Sequence, residues 1–303
     1  MQYPQVTVNT SVINDNIARI PRPVLMMVKA NAYGLGLERV VKSTPSAFGY
    51  GVATWEEGIA VRALTSKPIL VTSPLKQIGY ALTPLVGDIE SVEALPKGTK
   101  VHLKINTGMN RYGVAPSEAL FLARKCLNRG LVVTGIATHY ASAEKAPEQN
   151  GGFVRAIREV EALTGRLVRH AEATSTQANL WFDLVRLGLG AYLGAVKIRS
   201  VVLATREVPQ GTEIGYDGVY TMPSDGRIAV VAGGYADGLA KGLIGGMMRG
   251  RDRLHKIIAV CMDVIILHLS CPLKVGDEVT LIESELYSRY ELYTGLGGRT
   301  YFE

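Results

Sequence analysis

VLMMVKANAYGLGLERVVKSTPSAFGYGVATWEEGIAVRALTSKPILV, residues 24–71, decides the fold, because it carries a strand–turn–strand–helix–strand rhythm that the chain then repeats. VLMMVK (24–29), FGYGV (48–52) and PILV (68–71) are short apolar runs bounded by Gly, Pro and polar residues, the pattern of strands buried on both faces. TWEEGIAVRAL (54–64) reads as a helix, with Thr54 as its cap and Glu57 three residues on to complete a capping box. Working outward, TPLV (83–86), VHLKI (101–105), VVTGIAT (132–138), LVRHA (167–171) and DLVRL (183–187) extend the strands to eight. PSEALFLARKCLN (116–128) and GFVRAIREVEALTG (152–165) are helix-like segments among them. Strand and helix repeated in this way predict an N-terminal (β/α)8 barrel of the TIM type, an α/β fold. A doubly wound open sheet is the rival, weakened by the lack of GxGxxG after the first strand.

Beyond about residue 195 helical periodicity stops. VKIRSVVLATREV, TEIGYDGVYTM, RIAVVAGGY, HKIIAVCMDVIIL and DEVTLIE read as strands separated by Gly, Pro and Asp turns. The expected division is a barrel over 10–195 and a mostly-β C-terminal domain over 196–303, joined by the strand-like opening segment 1–9.

The 303 residues carry 33 Lys and Arg against 27 Asp and Glu, a net +6, with the two signs interspersed and no long like-charged run. That excludes a dedicated nucleic-acid arm and leaves attraction of a small anion as the simplest use of the charge. Cys126, Cys261 and Cys271 form no CxxC pair, which argues against a disulfide scaffold and a cysteine-rich metal site. No signal-like segment opens the chain, and the apolar stretch Ile257 to Leu269 is interrupted by Asp263 and His268. A cytoplasmic protein without membrane or metal is expected.

Barrels place chemistry at the C-terminal ends of their strands, where Lys29, Lys104, His139, His170 and Arg186 all fall. Lys29 ends an apolar strand, where an ammonium is disfavoured unless paired or converted to a Schiff base; the plainer alternative is a lysine snorkelling to the rim. Tyr33, with Gly34 and Gly36 beside it, offers a phenol to a phosphate. Lys104 and Arg111 in HLKINTGMNRYGV put two cations about one turn, inviting an anion, although a solvated basic rim has the same composition. His139 and His170, taken singly, read as satisfied structural histidines; a shared barrel end raises both. Arg186 is followed by Gly188, Leu189 and Gly190, whose backbone amides could approach a phosphate, and Thr174 and Ser175 would add hydroxyl donors.

The joint pattern resembles the alanine racemases, pyridoxal-phosphate enzymes built from a barrel and a β-domain. VKANAYGLG is similar to the family's cofactor-lysine motif and HLKINTGMNRYGV to its second signature; THYASAE, HAEATS and VRLGLGAYLG resemble its later strand ends, and EIGYDGVYT, GGYADGLAKG and CMD its β-domain motifs, all in order. The resemblance implies a homodimer with shared sites that interconverts L- and D-alanine and supplies D-alanine for peptidoglycan. Lys29 would hold pyridoxal 5′-phosphate and serve the D-isomer; Tyr33, Gly188, Leu189 and Thr174 or Ser175 would hold the phosphate. Arg186 would face the pyridine nitrogen, oriented by His170. Tyr216, reaching in from the partner's β-domain, would serve the L-isomer. Phenols ionise near pH 10, so a phenol base needs a helper, and His139, between Arg186 and Tyr216, is the candidate. Arg111 would bind the substrate carboxylate, supported by Lys104, which the family can carry as a carbamate, while Tyr235 and Met262 would narrow the entrance. A broad-specificity amino-acid racemase, a related decarboxylase and a non-catalytic cofactor carrier are the rivals. Leu35, Asn106, Ala173 and Gly298 stand where the family more often has His, Asp, Asn and Tyr.

Overall fold

The computed structural model describes residues 4–73, 81–172, 182–282, 289–297 and 300–302. They divide into two compact units, one of residues 10–32 and 36–193, the other of residues 1–9, 33–35 and 194–303.

The first unit is a closed barrel of eight parallel strands: β2 (Val24–Met27), β3 (Gly49–Val52), β4 (Ile69–Val71), β5 (Thr83–Val86), β6 (Lys100–Lys104), β7 (Val132–Ala137), β8 (Val168–Ala171) and β9 (Leu184–Leu187). Seven lie within the corresponding apolar runs of the sequence, and β6 begins one residue before its run, at Lys100. Closure is made by β9 pairing back on β2, with Val24 opposite Val185 and Met26 opposite Leu187. The uninterrupted apolar character of β2, β3 and β4 follows from burial of every residue in them, helices covering one face and the barrel interior the other.

The covering helices show why their sequences fold as they do. In Trp55–Arg62, Thr54 accepts from the Glu57 amide at 3.3 Å while Glu57 Oε2 accepts from the Thr54 amide at 3.2 Å, so the capping box forms. Ala119–Asn128 buries Ala119, Leu122, Ala123 and Cys126, a stripe one helical face wide. The helix Ala146–Thr164 begins earlier than the expected 152, with Pro147 in its first turn and Gly151 and Gly152 inside it. Packing of Phe153, Ala156, Ile157 and Val160 outweighs their roughly 1 kcal/mol per-glycine penalty.

The second unit is an antiparallel sheet. Its strands are β1 (Gln5–Val8), β10 (Val196–Val208), β13 (Gly226–Ala232), β14 (Met247–Gly250), β15 (Arg253–Val260), β16 (Val264–His268), β17 (Glu278–Ile282) and β18 (Tyr301–Phe302), with the small hairpin β11 (Glu213–Ile214) and β12 (Tyr220–Thr221) beside it. Because β13 pairs with β10 as well as with β16, six strands close on themselves, and β1 and β18 extend β10 outward, β18 running parallel to β1. Gly34 belongs to this unit: a Cβ there would lie 2.1 Å from the Tyr293 carbonyl oxygen, so only glycine fits, and Tyr33 packs on the Tyr290 ring at 5.2 Å.

Candidate active site

Immediately after β2 the chain makes a turn of the wrong hand. Ala30, Asn31, Ala32 and Tyr33 have φ between 52° and 56°, which costs residues with a Cβ roughly 1–2 kcal/mol each. Hydrogen bonds hold it: the Ala30 amide donates to Glu57 Oε1 at 2.6 Å, the Leu37 amide to Asn31 Oδ1 at 2.8 Å, and the Ala32 amide to the Val28 carbonyl at 2.8 Å. Glu57 thus ties the backbone next to Lys29 to the helix it caps. Lys29, half-buried at the strand end, is fixed where the strand stops.

Strand alternation then delivers a cluster of titratable side chains. His102 and Lys104 lie two apart on β6, His170 and Glu172 two apart at the end of β8, so each pair shares a face. His102 Nδ1 is 2.8 Å from His170 Nε2. The ring fits because β7 offers Gly135 opposite; a Cβ there would be 2.5 Å from His102 Cδ2. Burial, with the Arg186 charge adding, pushes His102 down to about 4, and burial next to His102, Arg186 and Lys104 takes His170 well below the histidine range, so both rings are neutral.

Arg186, on β9 with only 3% of its side chain exposed, donates from Nη2 to the Thr138 carbonyl at 2.7 Å and pairs with Glu172 Oε2 at 3.5 Å. The same carboxylate oxygen is 3.3 Å from His139 Nδ1. Burial alone would raise the Glu172 carboxyl, yet Arg186, His139 and Lys29 together outweigh it and hold it below the ordinary value, so it is ionised. Lys104, buried, is driven well below the lysine range, first by desolvation and then by the charges of Arg186 and Arg111, with Glu172 opposing. Arg111 itself is exposed. Two polar atoms of the cluster, Arg186 Nε and His170 Nδ1, are buried without a hydrogen-bond partner among the described residues.

The barrel end thus collects Lys29, Lys104, Arg111, His139, His170 and Arg186 from five strand ends or the turns after them, followed in the chain by Gly188 and Leu189. His170 bonds to His102; the atoms that hold Arg186 are the Thr138 carbonyl and Glu172. Thr174 and Ser175, with Ala173, Gly298 and Arg299, lie outside the described residues. Nothing local in the sequence marks Thr138, and for Glu172 the signal is its two-residue spacing from His170.

In the β unit, Tyr216 starts a short 3-10 turn and is 59% exposed; Tyr235 and Met262 are 38% and 49% exposed. The GGY and CMD segments are neighbours: the Tyr235 amide donates to the Cys261 carbonyl at 3.0 Å, and a Cβ on Gly234 would be 2.2 Å from that oxygen. Among the described residues no group of three or more His, Cys, Asp or Glu side chains could hold a metal, and no helix is long and apolar enough to cross a membrane.

Residues 3–196 match the family model described as "Alanine racemase, N-terminal domain", and residues 195–299 that described as "Alanine racemase, C-terminal domain". An alanine racemase of Deinococcus deserti is 30% identical over 93% of this chain and 92% of its own length. Among solved structures, an alanine racemase from Bartonella henselae with covalently bound pyridoxal phosphate superposes with TM-score 0.82 at 22% identity, covering 98% of both chains. A histidine racemase from Leuconostoc mesenteroides superposes with TM-score 0.80 at 20% identity, covering 100% of this chain and 98% of that one.

Proposed function

The chain belongs to the alanine racemase family, and on that premise we propose that it interconverts L- and D-alanine with pyridoxal 5′-phosphate, using Lys29 and Tyr216 as two bases. The observation that carries the reading is Arg186: a buried guanidinium anchored through Nη2, with Nε left as a donor lacking an acceptor among the described residues. A pyridine nitrogen is an acceptor of the kind that atom needs, so the residues fit the cofactor. When bound, the cofactor takes up the negative charge that develops as the Cα proton leaves. Arg186 keeps its own proton and so leaves the ring nitrogen unprotonated, which restrains the electron sink and limits side reactions such as transamination.

Racemisation removes a proton from one face of Cα and returns one to the other. Lys29 serves the D-isomer; Tyr216 of the partner subunit serves the L-isomer, with His139 relaying charge to it, and its exposure is what such a reach requires. Arg111, exposed at the barrel end, binds the substrate carboxylate. Lys104 supports it; burial favours its neutral amine, the form that carbamylation requires. Phosphate is assigned to Tyr33, the Gly188 and Leu189 backbone, and Thr174 or Ser175. Tyr235 and Met262 of the partner subunit narrow the entrance and favour a side chain as small as that of alanine. We place the enzyme in the cytoplasm as a homodimer supplying D-alanine for peptidoglycan. A carrier that only binds the cofactor has no use for Tyr216. A broader amino-acid racemase is the second reading, which the likeness to a histidine racemase keeps in view.

The test is incubation of the cofactor-loaded protein with L-alanine in deuterated water, following Cα exchange by NMR and D-alanine by chiral analysis. Exchange with inversion is expected. Exchange without inversion would remove Tyr216 as second base, and absence of exchange with alanine but not with larger amino acids would transfer the activity to the broader reading.

A further inference from the structure

We propose that Glu172 is a positioning residue whose single carboxylate oxygen fixes the Nδ1–H tautomer of His139 and the orientation of Arg186 at once. The geometry is asymmetric in a useful way. Oε2 is the atom near both His139 Nδ1, at 3.3 Å, and Arg186 Nη2, at 3.5 Å. An ionised carboxylate only accepts, so a neutral His139 ring facing it carries its hydrogen on Nδ1 and leaves Nε2 as a lone pair. A histidine in this state can accept a proton or a hydrogen bond at Nε2, the property asked of the helper to Tyr216. Arg186, meanwhile, has Nη2 committed to Glu172 and to the Thr138 carbonyl at 2.7 Å, which leaves Nε as the donor still to be satisfied.

The charges around the pair are few and specific. Glu172 is faced by Arg186, His139 and Lys29; His139 is faced by Glu172, Arg186 and Lys104. Of these only Glu172 is anionic, and with side-chain exposures of 14% for Glu172 and 13% for His139 solvent substitutes poorly for it. Burial and the two cations hold His139 below the histidine range, and Glu172 is what opposes them. Removing the carboxylate therefore lowers the affinity of the ring for a proton and frees it to adopt the other tautomer.

What the oriented groups then do rests on the racemase reading, but the tautomer is measurable without turnover. The experiment uses 15N-histidine-labelled protein loaded with pyridoxal 5′-phosphate, with His139 assigned by its loss in His139→Gln. Wild type is expected to show His139 protonated at Nδ1 at neutral pH. In Glu172→Gln, whose amide can donate to Nδ1, the ring should move to the Nε2–H form, and in Glu172→Asp the Nδ1–H form should return in part. Alanine turnover should fall about 10²-fold in Glu172→Gln, the scale of a lost proton-transfer aid, with KM little changed, and Glu172→Asp should restore part of it. Wild type found in the Nε2–H form overturns the proposal with no variant needed, as does a tautomer unchanged in a folded Glu172→Gln. If the tautomer switches as expected but wild type does not racemise alanine, Glu172 keeps its role and the substrate reading is what fails.

Discussion

The proposal gives Lys29 and Tyr216 separable duties, and single substitutions should separate them. Lys29→Ala is expected to lose the visible absorbance of lysine-bound cofactor; a retained band would remove Lys29 from its role. Tyr216→Phe should keep that band yet slow racemisation in both directions by 10² or more, on the order expected for a lost acid–base group, because the two bases act in series; unchanged rates would assign the second base elsewhere. His102 gives a different kind of test. Its ring is pushed down to about 4 by burial and by Arg186, whereas in the unfolded chain it titrates near 6.5. Between those pH values the unfolded chain binds a proton that the folded protein refuses. The contribution of this histidine is therefore intact above pH 6.5 and is lost as pH falls towards 4, by about 3 kcal/mol from this group. Denaturant unfolding measured from pH 7 to 4 should show the loss; a flat profile would mean that His102 accepts a proton inside the barrel. At this scale the sequence is a good guide to cations and histidines at strand ends, because alternation and strand termini place them. It is a poor guide to Glu172. A carboxylate just past a strand has the same local signature whether it faces solvent or Arg186, and only the packing of β8 against β9 decides.

The elements were legible where burial is two-sided. Eight apolar runs gave eight barrel strands, since parallel strands covered on both faces admit few polar residues. Legibility failed at two places for different reasons. The sequence places the start of one helix at Gly152, but it begins at Ala146, because tertiary packing of the helix Ala146–Thr164 overrides the low local propensity of Gly151 and Gly152. The left-handed turn Ala30–Tyr33 carries no glycine within it, and Asn31 is its one residue type that favours positive φ; Glu57, from a neighbouring helix, holds it. Gly135 on β7 marks where one element makes room for the chemistry of another. Gly135→Ala would bring a Cβ within 2.5 Å of the His102 ring and force it off its 2.8 Å contact with His170. Overpacking of this kind costs about 1–3 kcal/mol. A lowered melting temperature with weakened turnover is expected, and a variant as stable and active as wild type would show that the His102–His170 contact is dispensable.

On the scale of the whole molecule, the two-base assignment makes a quantitative claim about assembly. Lys29 lies in the barrel unit and Tyr216, more than half exposed, in the β unit with Val219, Tyr235 and Met262 also exposed. If each site takes Lys29 from one subunit and Tyr216 from its partner, two inactive variants repair each other when mixed. In a hybrid of Lys29→Ala with Tyr216→Phe, one site has lost both bases, while the other combines the intact Lys29 of the Tyr216→Phe chain with the intact Tyr216 of the Lys29→Ala chain. Random reassociation of equal amounts makes half of the dimers hybrids, each with one working site of two, so about a quarter of wild-type activity should return in a two-fold symmetric dimer. Co-refolding or co-expression with two affinity tags isolates the hybrid, in which recovery should approach half. A hybrid that forms and stays inactive would place Lys29 and Tyr216 of a functioning site on the same chain.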